Sequence, residues 1–141
     1  MCILNDSKEI TMKSIKRSDI VPLLLNSPAR GFIVNRPTPG TGFFHEITTE
    51  LDRKNITHVT VRGDICPDDF LPIVEQADDN TVIIVDNEHD KNGFFSYPGN
   101  GAIVYQVLLG NIKVKLLIVS NEKSKVTPIN NRLVHINVGA T

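Results

Sequence analysis

Short apolar runs alternate along the chain with stretches of helical length. Gly31-Phe32-Ile33-Val34-Asn35 reads as a buried strand that runs into a Pro/Gly loop from Pro37 to Gly42. Residues 43–54 predict a helix, with Phe44, Ile47 and Leu51 at helical spacing. His58-Val59-Thr60-Val61-Arg62 predicts a second strand. Pro67 suits the first turn of a helix reaching Gln76, and Asp68 and Asp69 suit its positive N-terminal end. Thr81-Val82-Ile83-Ile84-Val85 is the most apolar β-branched run and predicts a central strand, ending in Asp86-Asn87-Glu88-His89-Asp90. A Gly/Asn-rich loop covers residues 92–101, and residues 102–109 predict a helix closed by Gly110. Lys115-Leu116-Leu117-Ile118-Val119 predicts the fourth strand and leads into Ser120-Asn121-Glu122; residues 133–138 predict the fifth. Upstream, Ser18 is placed to N-cap a helix through Leu25.

Continuous apolar strands alternating with helices predict an α/β fold, a parallel sheet with helices on both faces. With 141 residues the chain fits one domain. Residues 1–17 read as an N-terminal segment and 18–141 as the α/β core. Such folds bind ligands beyond the carboxyl ends of their strands. Three of those ends are polar here: Asn35-Arg36, Asp86-Asn87 and Ser120-Asn121.

Composition narrows the class. Apolar residues make up 40% and charged residues 22%, a globular balance that argues against wholesale disorder. No apolar run approaches the ~18–20 residues that span a bilayer, and the first residues carry no secretory pattern. Cys2 and Cys66 read as free thiols, which makes the cytoplasm the expected compartment. No Cys/His spacing resembles a zinc site. The net charge of −1 conceals an asymmetry: residues 66–90 hold eight acidic groups and no Lys or Arg, whereas residues 111–141 carry a net +4. That offers opposite surfaces for head-to-tail protein contact. Without an aromatic-basic stripe, nucleic acid is not an expected partner.

The loop after the first strand carries the candidate chemistry. Pro37-Thr38-Pro39-Gly40-Thr41-Gly42-Phe43-Phe44 resembles a Walker A loop, GxxxxGK[ST], between a strand and a helix as that motif requires. The motif's first Gly is Pro37, its Lys is Phe43 and its Ser/Thr is Phe44. The lysine reaches the β- and γ-phosphates and the hydroxyl holds magnesium; two phenylalanines do neither. Val82-Ile83-Ile84-Val85-Asp86-Asn87 resembles a Walker B segment in which Asp86 matches the metal-holding Asp and Asn87 replaces the water-polarising Glu. Leu117-Ile118-Val119-Ser120-Asn121 looks like a sensor-1 strand ending on Asn121. Asn130-Asn131-Arg132-Leu133-Val134-His135-Ile136 is similar to the segment entering the last core strand of MoxR-like AAA+ ATPases, with Arg132 near their arginine finger. Residues 19–31 look like the approach to an AAA+ Walker A strand.

The chain as a whole therefore resembles an AAA+ P-loop ATPase core of the MoxR-like group over residues 18–138. The resemblance implies a three-layer P-loop-NTPase-like sheet of about five strands, in order 5-1-4-3-2. It also implies a helical lid after the last strand. The sequence stops three residues past that strand, so a lidless core is the expectation.

The candidate residues have two readings each. Gly40, Thr41 and Gly42 either cradle an anion at a helix N-terminus or form a tight turn that needs glycine. Phe43 and Phe44 either make a contact patch or plug the vacated pocket. Asp86 either holds a metal with Glu88, His89 or Asp90, or is an ordinary strand-end acid. Ser120 and Asn121 either survey a phosphate or satisfy a strand end; Arg132 either acts on a neighbouring ATPase or makes a surface ion pair. Arg36 is the one cation at the loop mouth. The four histidines show no triad spacing.

The expectation is a vestigial nucleotide site at Arg36, Gly40, Thr41, Gly42, Asp86 and Asn121, with no catalytic residue and no metal. The function expected is that of a pseudo-ATPase acting on a protein partner, an AAA+ ATPase or a second copy. Neither ATP nor magnesium is expected as a cofactor. The alternative is a nucleotide-binding module in which Arg36 and Asp86 replace the loop lysine and magnesium ligands. So stripped an architecture would suit a phage or mobile-element protein.

Overall fold

The computed structural model describes residues 10–11, 15–35, 42–87, 94–120 and 133–138. In chain order the elements are β1 (Ile10–Thr11), a 3-10 turn (Arg17–Asp19), α1 (Ile20–Asn26), β2 (Gly31–Asn35), α2 (Phe43–Arg53) and β3 (His58–Arg62). They continue with α3 (Pro67–Gln76), β4 (Val82–Asn87), a 3-10 turn (Phe94–Ser96), α4 (Pro98–Leu108), β5 (Lys115–Ser120) and β6 (Val134–Asn137). The strands form one sheet in order β1-β6-β2-β5-β4-β3, and every pair is parallel. The five strands expected from the sequence therefore stand as 5-1-4-3-2. The two-residue β1, which no hydrophobic pattern announces, adds a sixth at the β6 edge.

Both faces of β2, β4 and β5 are buried, which is why those strands read as continuous apolar runs. Phe32, Val34, Val82, Ile84, Leu117 and Val119 point to one face and pack with Ile20 and Leu24 of α1 and Phe43, Ile47 and Leu51 of α2. Ile33, Val61, Ile83, Val85, Leu116 and Ile118 point to the other, against Phe70 and Val74 of α3 and Ile103, Val104 and Val107 of α4.

Helix ends show why the chain turns where it does. After α2, Asn55 takes a left-handed φ of 60°. Ile56 N–H reaches back to Leu51 C=O and Asn55 N–H to Asp52 C=O, the paired bonds of a Schellman motif. Ile56 and Leu51 share the core, which fixes the exit toward β3. α1 ends just before Pro28, which has no N–H to offer the carbonyl of Leu24. The Lys115 ammonium takes that role, donating to Leu24 C=O at 2.7 Å and to Ser27 C=O at 2.6 Å. Its half-buried position pushes its pKa below the ordinary lysine value through desolvation, with the charge of Arg30 adding to the effect.

Three expectations change. Ser18 lies inside the 3-10 turn, and α1 begins at Ile20 after Asp19 without a side-chain cap bond. The fully buried stripe of α2 is Phe43, Ile47 and Leu51, and Phe44 is only half-buried. α4 begins at Pro98, inside the stretch expected to be loop. Proline is preorganised for the first helical position, and the buried side chain of Asn100 ties that turn down. Its amide donates to Ile65 C=O at 2.9 Å and to Phe94 C=O at 3.1 Å.

Candidate functional site at the carboxyl ends of the strands

The sheet register draws the polar strand ends into one row. Asn137 of β6 pairs with Asn35 of β2, Asn35 with Ser120 of β5, and Ser120 with Asn87 of β4. One step back, Asp86 lies between Val119 and Arg62. The polar ends seen in sequence are thus neighbours in space. Asn137 and Arg62 join them, one from the strand that completes the sheet and one from its outer edge. Arg62 is set beside Asp86 by strand order and register, not by any motif of its own.

Gly42 opens α2 with φ +81° and ψ −2°, a left-handed conformation in which an added Cβ would meet no atom within 4 Å. Glycine is therefore required there by backbone conformation rather than by crowding. Gly42 C=O accepts the first helical bond, from Glu46 N–H at 2.8 Å. The next residue stands where the Walker A motif has its lysine. Phe43 is 0% exposed and belongs to the core between α1, α2 and the sheet. Phe44 meets it edge-on, ring centroids 5.6 Å apart, and the Arg17 guanidinium sits 5.8 Å from the Phe43 ring centroid.

Asp86 and Asn87 take the Walker B positions at the end of β4. Asp86 is half-buried, and its C=O accepts from Gly63 N–H at 2.7 Å. Asn87 Oδ1 accepts from Phe94 N–H at 3.0 Å and so anchors the segment that leads into α4. Gly63 packs directly against this pair. A Cβ there would sit 2.5 Å from Asn87 Oδ1 and 2.9 Å from both Asn87 Cα and Asp86 O. Ser120 is buried at the end of β5.

Of the sequence candidates, Gly42, Asp86 and Ser120 are brought to this edge. Arg36, Gly40, Thr41, Asn121 and Arg132, and with them Glu88, His89 and Asp90, lie outside the described residues. At the motif positions among the described residues, the lysine position is core and the position of the acid that would polarise water is an amide engaged with backbone. Sequence reasoning missed Asn100 and Gly63. An Asn between glycines in a loop-like stretch, and a Gly after a strand, carry no pattern until tertiary neighbours are known.

A groove of about 360 Å³ lies between the 3-10 turn and α2, lined by Arg17, Val21, His45, Glu46, Ile47 and Arg53 among others. Among the described residues no helix is long and apolar enough to cross a membrane.

No protein-family model matches the chain, and none of the curated proteins compared with it does. Solved structures do. Thermotoga maritima RuvB, described as a Holliday junction branch migration motor, superposes with a TM-score of 0.56 at 13% identity, over 84% of this chain and 41% of its own. Its T158V form gives 0.57 at 13% over the same shares, and its A156S form 0.56 at 12% over 86% and 42%. The chain spans about two-fifths of the length of these RuvB chains. Strand order, parallel pairing and this likeness agree on one conclusion: the chain has an AAA+-like P-loop fold.

Proposed function

We propose that this is a non-catalytic AAA+-like domain, a pseudo-ATPase that acts through protein contact. The burial of Phe43 carries this reading. An ammonium at that position would have to leave water and enter a packed aromatic and aliphatic core. Asn87 supports it from the opposite side, since its carboxamide serves as a loop anchor. The domain takes neither nucleotide nor magnesium as a cofactor. It works in the cytoplasm beside a protein partner, an AAA+ ATPase or a second copy. Its affinities within the fold are with the MoxR-like group, on the motifs at residues 37–44, 82–87, 117–121 and 130–136.

Calorimetric titration with ATP and ADP, with and without magnesium, tests the reading. No saturable heat is expected up to millimolar nucleotide. Micromolar binding, or ATP turnover lost in Asp86→Ala, overturns it in favour of a nucleotide module built on Arg36 and Asp86.

A further inference from the structure

We propose that the outer edge of β3 is a self-association surface, on which a second copy of the chain pairs its own β3 antiparallel about a two-fold axis through Thr60. Among the described residues β3 ends the sheet, with β4 on one side only. Val82 N–H donates to Thr57 C=O at 3.0 Å and Gly63 N–H donates to Asp86 C=O at 2.7 Å. Odd-numbered residues of this stretch therefore turn their backbone groups toward β4, and those of His58, Thr60 and Arg62 turn outward. Thr60 and Arg62 are exposed. Natural edges are usually guarded by Pro, Lys, a bulge or an overlying helix. β3 has neither Pro nor Lys, and its five residues run in unbroken register with β4.

The sequence of the strand is self-complementary about Thr60. Antiparallel pairing sets Thr60 against its own copy and each His58 against an Arg62, all at positions where facing residues exchange both backbone bonds. Arg62 C=O already accepts from Ile65 N–H at 3.2 Å and has a second lone pair. Charge agrees with the register. Asp52 Oδ1 lies 2.8 Å from His58 Nε2, and the Asp52 and Arg62 side chains are 72% and 80% exposed. The Arg62 of the second copy therefore arrives beside a carboxylate, and symmetry repeats the pair. Arg62 also binds its own Asp64 at 3.1 and 3.2 Å, which lowers the Asp64 pKa.

The apolar surface agrees as well. Val59 faces the same side as buried Val61, the α3 side, yet is 37% exposed. Leu71 on α3 is also 37% exposed. Together they are two of the four exposed large apolar side chains among the described residues, and both belong to the elements at this end of the sheet. A two-fold axis perpendicular to the sheet keeps the two α3 helices on one side, so each copy adds its own Val59 and Leu71 to the joint.

Sedimentation equilibrium of the full chain, from micromolar to near-millimolar concentration, tests the pairing. A monomer–dimer equilibrium is expected. Thr60→Pro removes an outward N–H and leaves the β4 ladder intact; Val59→Lys sets a charge at the joint without touching the backbone. Each should weaken association at least tenfold while circular dichroism stays unchanged. If Thr60→Pro fails to fold, Val59→Lys carries the test. A wild type that stays monomeric throughout, or a dimer that survives in the folded variants, overturns the proposal. The pairing does not depend on whether the carboxyl edge takes a nucleotide, so the centrifuge and the calorimeter can fail separately.

Discussion

The two ends of the strands treat charge in opposite ways. At the amino end, the Lys115 ammonium is drawn half out of water to serve two carbonyls at the end of α1. At the carboxyl end, the position that a P-loop gives to a lysine belongs to Phe43 and the core. The chain thus holds a cation where it mends a helix end and an aromatic ring where the motif's cation would stand. Scaffold and chemistry separate cleanly: the sheet order depends on the apolar runs, and the nucleotide site depends on a few side chains that can change without disturbing it.

The strongest challenge to this contrast is at Phe43. Phe43→Ala should lose about 3–5 kcal/mol of stability in denaturant unfolding. Phe43→Lys should lose at least as much, because it buries an unpaired charge, and should gain no ATP binding. A folded Phe43→Lys protein that binds ATP would mean the pocket is intact and needs only its cation.

At the other end, Lys115→Met should cost about 1.5–3 kcal/mol, the worth of hydrogen bonds from a charged donor. The effect should also depend on pH. The folded pKa of Lys115 is lowered, so at high pH the unfolded chain holds a proton that the folded chain has released. Wild-type stability therefore rises relative to Lys115→Met as pH climbs from the lowered folded pKa toward 10.5. The neutral amine keeps two N–H groups for the two carbonyls. A flat difference across that range would show that the ammonium is not penalised.

Smaller effects sharpen the comparison at the carboxyl edge. Asn87→Ala removes the acceptor of Phe94 N–H and should cost about 1–2 kcal/mol, with faster amide exchange at Phe94. No change in that exchange would leave Asn87 without its anchoring role. Gly42→Ala should cost about 1 kcal/mol by thermal melting, from φ +81° alone, since the added methyl meets nothing within 4 Å. A larger loss would point to close packing against Gly42 that the geometry does not contain.

The sequence made the architecture legible because the inner strands β2, β4 and β5 are apolar on both faces and a helix follows β2, β3 and β4. Strand order came from a resemblance in motif order, which carries topology that periodicity cannot. The miss at β1 has a simple cause: Ile10 and Thr11 form a strand only because β6 lies beside them. α4 was shortened because Gly99, Asn100 and Gly101 disfavour a helix on their own, and the bonds from Asn100 to Ile65 and Phe94 reverse that preference. At the site, residue identities showed which side chains had been replaced. Only the structure showed where one replacement went: Phe43 rather than Phe44 fills the core, a one-residue shift that helical spacing with three apolar positions could not resolve.

The placement of β2 has a consequence for how the chain is made. Ile33 lies between Ile118 and His135, so β2 has no strand beside it until β5 exists and lacks its second neighbour until β6 does. β3 and β4 come close together in sequence and can pair early; β2 must wait. Synthesis releases the N-terminal side first, and long-range parallel pairing is intrinsically slow. A nascent chain halted before β5 should therefore expose β2 to proteases while β3 and β4 are already protected. A buried inner strand, early in the chain, is thus the one most dependent on chaperoned time.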